Sequence, residues 1–270
     1  MSTGRSTNFI SPLFYHRQLI LSLVFRRISS RYKGAIFGYL WITLVPLILL
    51  AVYTFVFSVI FSARWDVYIG EKTSFALFLF IGLCAHQMLA EVLSSSVGII
   101  HENKSYVKKI QFPLEILAYV AVITALFSFV INSIIVLIAN WIFFGTINAA
   151  VLYLPILILP LVFLCLGFSW IVSAIGVYFR DLRHIINVVI LMFLFLTPIF
   201  YPLEAVPLEY ASIIKINPMA SIVENLRGLI FFNITPAIVP WLVLLVCSCL
   251  FAGGTYKLFN HARVGFADVI

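Results

Sequence analysis

Six long apolar runs, separated by short polar breaks, constrain this chain more than any other feature. They cover about 39–62, 75–100, 114–144, 150–178, 185–201 and 236–259. Crossing roughly 30 Å of hydrocarbon takes about 20 apolar residues in a helix. Backbone groups in lipid must find partners within their own segment, so each run is expected to be a helix. The third and fourth runs are long enough to tilt or to project beyond the bilayer. The fifth is short. Only 10% of the 270 residues are charged and 63% are hydrophobic, against about 25% charged in soluble domains. A soluble enzyme or nucleic-acid binder is excluded, although the net charge is +7. The first apolar stretch of all, Leu19 to Phe25, is seven residues long and runs into Arg26-Arg27, so no cleavable leader is expected.

The basic residues set the expected orientation. Arg5, Arg17, Arg26, Arg27, Arg31, Lys33, Lys104, Lys108, Lys109, Arg180, Arg183, Lys257 and Arg263 fall on one side of a six-span arrangement, thirteen of the 17 Lys and Arg. Arg64, Lys72, Lys215 and Arg227 fall on the other. The positive-inside rule then places both termini in the cytoplasm. Residues 202–235 are too apolar for an ordinary exterior loop and too broken to cross. Two short helices that dip into the outer leaflet are expected there, the second capped by Asn217 with Pro218 in its first turn. Before the first span, Phe14, Leu21, Val24, Phe25 and Ile28 fall on one helical face and Gln18, Ser22, Arg26 and Ser29 on the other. That pattern predicts an amphipathic helix lying in the membrane interface.

The sharpest polar break lies between the second and third runs, residues 101–113. It carries Glu102, Asn103, Lys104, Lys108 and Lys109 and stops at Pro113. Plain positive-inside charge would account for the lysines alone. Charge of both signs with a proline stop looks more like a docking element for a soluble partner. Within the second run, Gln87 and Glu91 share a helical face and His86 lies beside them. Such groups pair between helices or mark a pathway. Tyr53, Phe57 and Phe61 recur at four-residue spacing on the first run, and Phe193, Phe200 and Tyr201 decorate the fifth. Sugar rings pack on aromatic faces, so a glycan conduit would favour this lining; lipid-facing or interfacial aromatics would give the same stripe. Cys84, Cys165, Cys247 and Cys249 each sit inside an apolar run and read as filler, with no disulfide or metal-ligand pattern. Nothing matches a Walker A loop, so ATP hydrolysis is expected on another chain.

Several motifs, in order along the chain, resemble the permease subunit of ABC-2 type polysaccharide exporters, the family of O-antigen, capsule and teichoic-acid export permeases. They are Arg31-Tyr32-Lys33-Gly34 with Gly38-Tyr39-Leu40-Trp41 and Pro46; Asn103 through Lys108-Lys109 to Phe112-Pro113; Tyr178-Phe179-Arg180-Asp181-Leu182; Thr197-Pro198-Ile199-Phe200-Tyr201; and Asn217-Pro218 followed by Arg227. Tyr106 departs from the leucine common in the family. The resemblance implies an all-α integral membrane protein in the inner membrane, a single transmembrane domain of six helices. Residues 1–35 would form a cytoplasmic interface helix. It implies a homodimer, its lumen between the copies, with two copies of a separate ATPase that binds ATP and Mg²⁺. Residues 101–113, with Glu102, Asn103, Lys104, Lys108 and Lys109, would be the coupling helix. Asn217, Pro218, Glu224 and Arg227 would belong to a periplasmic gate over 202–235. The substrate would be a lipid-linked glycan, O-antigen-type, moving past Tyr53, Phe57, Phe61, Phe193 and Tyr201. Export of a drug or small lipid on the same fold is the alternative, and a membrane-embedded transferase a more distant one.

Overall fold

The computed structural model describes residues 9–34, 37–56, 72–107, 112–145, 147–179, 181–201, 203 and 206–269. Their regular structure is helical: α1 (Ser11–Tyr15), α2 (Arg17–Tyr32), α3 (Trp41–Tyr53), α4 (Lys72–Glu102), α5 (Lys104–Val107), α6 (Ile116–Phe144), α7 (Leu154–Leu157), α8 (Leu159–Tyr178), α9 (Leu182–Leu196), α10 (Leu208–Ile216), α11 (Pro218–Phe231), α12 (Ile238–Ala262) and α13 (Phe266–Val269). Five described segments are long and apolar enough to cross a membrane: Gly38–Val56, Phe75–Glu102, Ile116–Phe144, Ala149–Tyr178 and Ile238–Gly265. α9 is apolar but has 15 residues, a rise of about 22 Å against roughly 30 Å of hydrocarbon.

The fourth run is not one helix. A 3-10 turn at Ala149–Tyr153 leads into α7, and α8 starts anew. Pro155 and Pro160 each stand at the first turn of a helical piece, where a missing N–H costs nothing. α6 stops at Gly145, whose φ of 72° closes a left-handed cap with its N–H on the Trp141 carbonyl.

α4 is the axis of the bundle, packed by α6, α8, α9, α11 and α3. Small residues let α8 approach it. Ser169, Ser173 and Gly176 recur at four and three residues on one face of α8, the small-residue spacing that draws membrane helices together. The Ser96 and Ser169 hydroxyls are 2.7 Å apart. Gly176 lies so near α4 that a Cβ on it would stand 2.3 Å from the Val97 carbonyl oxygen. On its other side α8 offers Gly167 to α12, where a Cβ would meet the Phe251 ring at 2.4 Å. Between these contacts Trp170 is fully buried among Phe9, Tyr119 and Tyr256, and its indole N–H donates to the Glu115 carbonyl at 3.2 Å. The Tyr119 hydroxyl donates to the Phe9 carbonyl, which ties the start of α1 to α6.

The α2 helix corrects the expected face. Its inward side is Ile20, Leu23 and Val24, with Ile28 half-buried, set against α6. Leu21 and Phe25, and Phe14 on the separate α1, instead lie open. The helix has two apolar faces, one for the bundle and one free for lipid, and the sequence pattern merges them.

Candidate functional site

The two groups of residues singled out in the sequence stand at opposite ends of α4. From Phe78 to Glu102 this unbroken helix rises about 36 Å at about 1.5 Å per residue.

At the C-terminal end, α4 closes at Glu102 and Asn103 turns the chain. The Asn103 side chain donates to the Ile99 carbonyl at 2.7 Å, and the Tyr106 N–H donates to the Asn103 carbonyl at 2.8 Å. α5 follows, with Lys104 and Ser105 exposed. Tyr106 and Phe112 stack with ring centres 4.2 Å apart and planes 8° from parallel, so the base of the segment is pinned by two aromatic rings. Lys108 and Lys109 lie outside the described residues. Around this end the charges have both signs. Nearer the middle of α4, Arg31 of α2 pairs with Glu91 at 2.5 Å. The Glu102 carboxylate and the Arg183 guanidinium approach the same point above Gly98, 3.1 and 3.4 Å from where a Cβ would stand. Partial burial pulls the Arg27 guanidinium below its ordinary value; Glu102 and Glu91 act against that shift and Arg31 with it. Beyond Pro113, Glu115 pairs with Arg263 at 2.6 Å, which fixes the start of α6 to the turn after α12.

At the N-terminal end the centre is Arg227 of α11, 1% exposed. Its Nε–H donates to the Phe78 carbonyl at 3.1 Å. Nη1 donates to the Pro198 carbonyl at 2.7 Å and to the Glu224 carboxylate at 2.9 Å, and Nη2 to the Ile199 carbonyl at 2.8 Å. Glu224 thus pairs with Arg227 within one helix. Asn217 caps α11 as expected: its side-chain oxygen accepts from the Met219 N–H at 3.0 Å, and Pro218 opens the helix. Its amide also donates to the Leu196 carbonyl and the Thr197 hydroxyl, each at 3.1 Å, which holds the end of α9. Beyond α11, Asn233 adopts a left-handed φ of 56° and accepts from the Ala150 N–H at 3.1 Å. Asn148 donates to the Ile230 carbonyl at 2.8 Å.

The aromatic residues are spread. Tyr53 is half-buried against Phe80, ring centres 6.4 Å apart, and Phe193 meets Phe168 edge to face at 5.9 Å. The Tyr201 hydroxyl donates to the Phe195 carbonyl at 2.9 Å. Phe57 and Phe61 lie outside the described residues. Between the two ends α4 has one open strip, with Gln87 and Ser94 exposed and Ala90, Glu91, Ser95 and Gly98 half-buried. His86 sits off this strip, its Nε2 3.0 Å from the Ile190 carbonyl. The pair Gln87 and Glu91 was visible in the sequence; the continuation through Ser94 was signalled only by the triple serine 94–96. A polar strip on the open side of an otherwise buried apolar helix suits water, not lipid.

Apolar helices of spanning length, with polar groups gathered at the two ends and along one open strip, define a multi-pass membrane protein. Its sequence over residues 18–231 matches the family model described as ABC-2 type transporter. The chain belongs to the ABC-2 type transporter family. It is 27% identical to the O-antigen export system permease protein RfbA of Myxococcus xanthus over 97% of this chain and 98% of that one. It is 26% identical to an RfbA of Klebsiella pneumoniae over 96% and 97%. The polysialic acid transport protein KpsM of Escherichia coli is 28% identical over 76% of this chain and 78% of its own length.

Proposed function

We propose that this chain is the transmembrane subunit of an ATP-driven exporter that moves lipid-linked polysaccharide, O-antigen-type, across the bacterial inner membrane. The observation that carries the proposal is the end-to-end likeness to export permeases of that name. The working unit is a homodimer with two copies of a separate ATPase, which binds ATP and Mg²⁺. Six helices pack too closely to enclose a hydrated polymer; two copies related by a two-fold axis supply twelve around a lumen. The short α9, continued by the turns of Thr197–Tyr201, is the sixth crossing, and both termini face the cytoplasm.

Within that unit, 101–113 is the coupling element. Its exposed Lys104 and Ser105, and the Tyr106–Phe112 stack beneath them, suit a rigid knob entering a groove. α10 and α11 are re-entrant helices that form a gate at the periplasmic mouth, with Asn217, Pro218, Glu224 and Arg227 in its frame. Tyr53, Phe57, Phe61, Phe193 and Tyr201 supply aromatic surface to the lumen, and the strip from Gln87 to Gly98 supplies polar surface. ATP binding shifts the coupling element as a rigid body and opens the path.

The test is export in cells that lack this gene. Undelivered lipid-linked polysaccharide is expected to accumulate on the inner face, and the intact gene is expected to restore surface polysaccharide only alongside a hydrolysis-competent ATPase. Normal surface polysaccharide together with a new sensitivity to drugs would instead assign the chain to small-molecule export.

A further inference from the structure

We propose that Arg227 keys α11 to α4 and to the break after α9, so that the gate moves with α4 as one body and is not a flap hinged on its own. This inference rests on the gate reading above. A guanidinium has five N–H donors and no acceptor. Here they reach three main-chain carbonyls, Phe78 on α4 and Pro198 and Ile199 in the break, besides the Glu224 carboxylate. Carbonyls at a helix end lack partners in their own helix, and the break after α9 presents two of them to one side chain. Asn217 holds the last carbonyl of α9 from the other end of the same helix. α4 and the end of α9, distant from each other in sequence, are thus joined through α11.

The fit is close. Gly82, one turn along α4 from Phe78, leaves the space in which the guanidinium lies; a Cβ there would stand 3.3 Å from Nη2 and 3.2 Å from the Val223 Cγ1. Phe78 stacks on Phe231 with ring centres 4.4 Å apart. Pulling α11 away would strand a charged group and its carbonyl partners without hydrogen bonds, which is far more costly than rotating a joined body. α4 then runs without proline or break to Glu102. A displacement at 101–113 therefore reaches Arg227 along one rigid helix, and the coupling element and the gate are the two ends of a single lever.

The experiment uses the assembled exporter in cells, in a background with Cys84, Cys165, Cys247 and Cys249 replaced. Gly82→Cys with Val223→Cys sets two thiols across the α4–α11 contact: a Cβ on residue 82 stands 3.2 Å from the Val223 Cγ1, a position a cysteine sulfur can take, and a disulfide joins Cβ atoms about 3.8 Å apart. Export is compared in the same protein before and after oxidation. A one-body gate predicts that the cross-linked protein exports within about twofold of the reduced one. Arg227→Ala is expected to lose export at least about tenfold, because its carbonyl partners are left unpaired, and to regain part of it when the cysteine pair is oxidised. Arrest of export by the cross-link would overturn the inference while leaving the gate reading in place, because α11 would then have to leave α4. The cross-link comparison stands even where Arg227→Ala fails to fold. A third arm separates the two ideas: Ser221→Cys, on the exposed side of α11, modified with a bulky thiol reagent. Unchanged export after that modification would remove the gate and this inference together; a block would retain the gate and leave the cross-link to decide.

Discussion

Replacing Gly176 with leucine is expected to leave almost no correctly folded protein in the membrane. The glycine sits where α8 touches the main chain of α4. A Cβ would lie 2.3 Å from the Val97 carbonyl oxygen, 3.2 Å from its carbon and 3.4 Å from its Cα. Backbone cannot rotate aside as a side chain can, so the two helices would have to part by more than an ångström. That separation breaks the 2.7 Å Ser96–Ser169 hydrogen bond and opens a gap along the most buried helix of the bundle. Overpacking by a methylene or two typically costs about 1–3 kcal/mol, and a leucine against backbone exceeds that range; total stabilities are only about 5–15 kcal/mol. We expect at least a tenfold drop in monodisperse protein extracted with mild detergent, read by size-exclusion chromatography, consistent with the energies of about 1.4 kcal/mol per decade that set such ratios. Gly254 on α12 is the control. Nothing lies within 4 Å of a Cβ there, so Gly254→Ala should change stability by no more than about 0.5 kcal/mol. Equal yields of wild type and Gly176→Leu would mean that α4 and α8 do not cross as closely as described.

The second large effect is expected at Lys108 and Lys109. Reversing both to glutamate turns a basic stretch acidic in the element proposed to enter the ATPase. Charges across an interface steer encounter and suppress wrong pairing, and like charges juxtaposed there cost several kcal/mol. Recovery of the ATPase with the double variant should fall at least about tenfold at physiological salt, while the amount of permease in the membrane stays the same. Membrane orientation is preserved because the basic N-terminal helix and Lys104 are untouched. Unchanged co-purification would remove the docking role from 101–113.

Much of the element order was legible because lipid imposes one rule on every segment, and apolar run length follows from it. The third run, expected from Leu114, is a helix from Ile116, and the Asn217–Pro218 cap stands where the pair of residues demands. The fourth run, expected as a single helix, contains Pro155 and Pro160, and each stands in the first turn of a separate helix. The α2 face was misjudged because two apolar faces overlap on a single wheel when both bundle and lipid are partners. The importance of Arg227 was legible only as an N-P…R pattern. Its actual partners are main-chain carbonyls of Phe78, Pro198 and Ile199, and a carbonyl has no residue type by which a sequence can announce it. The same holds for Gly176, whose neighbour is the backbone of Val97. The Arg31–Glu91 pair joins residues sixty positions apart, and only the fold brings α2 beside α4.

The most direct measurement is the side of the membrane on which residues 101–113 lie. Ser105 is exposed within that element. In a Ser105→Cys variant, with exposed Cys247 and half-buried Cys249 replaced, a membrane-impermeant thiol reagent should leave the protein unlabelled in intact spheroplasts and label it fully in inverted vesicles. Labelling from outside intact spheroplasts would put the element out of reach of any cytoplasmic ATPase and contradict the proposed mode of drive.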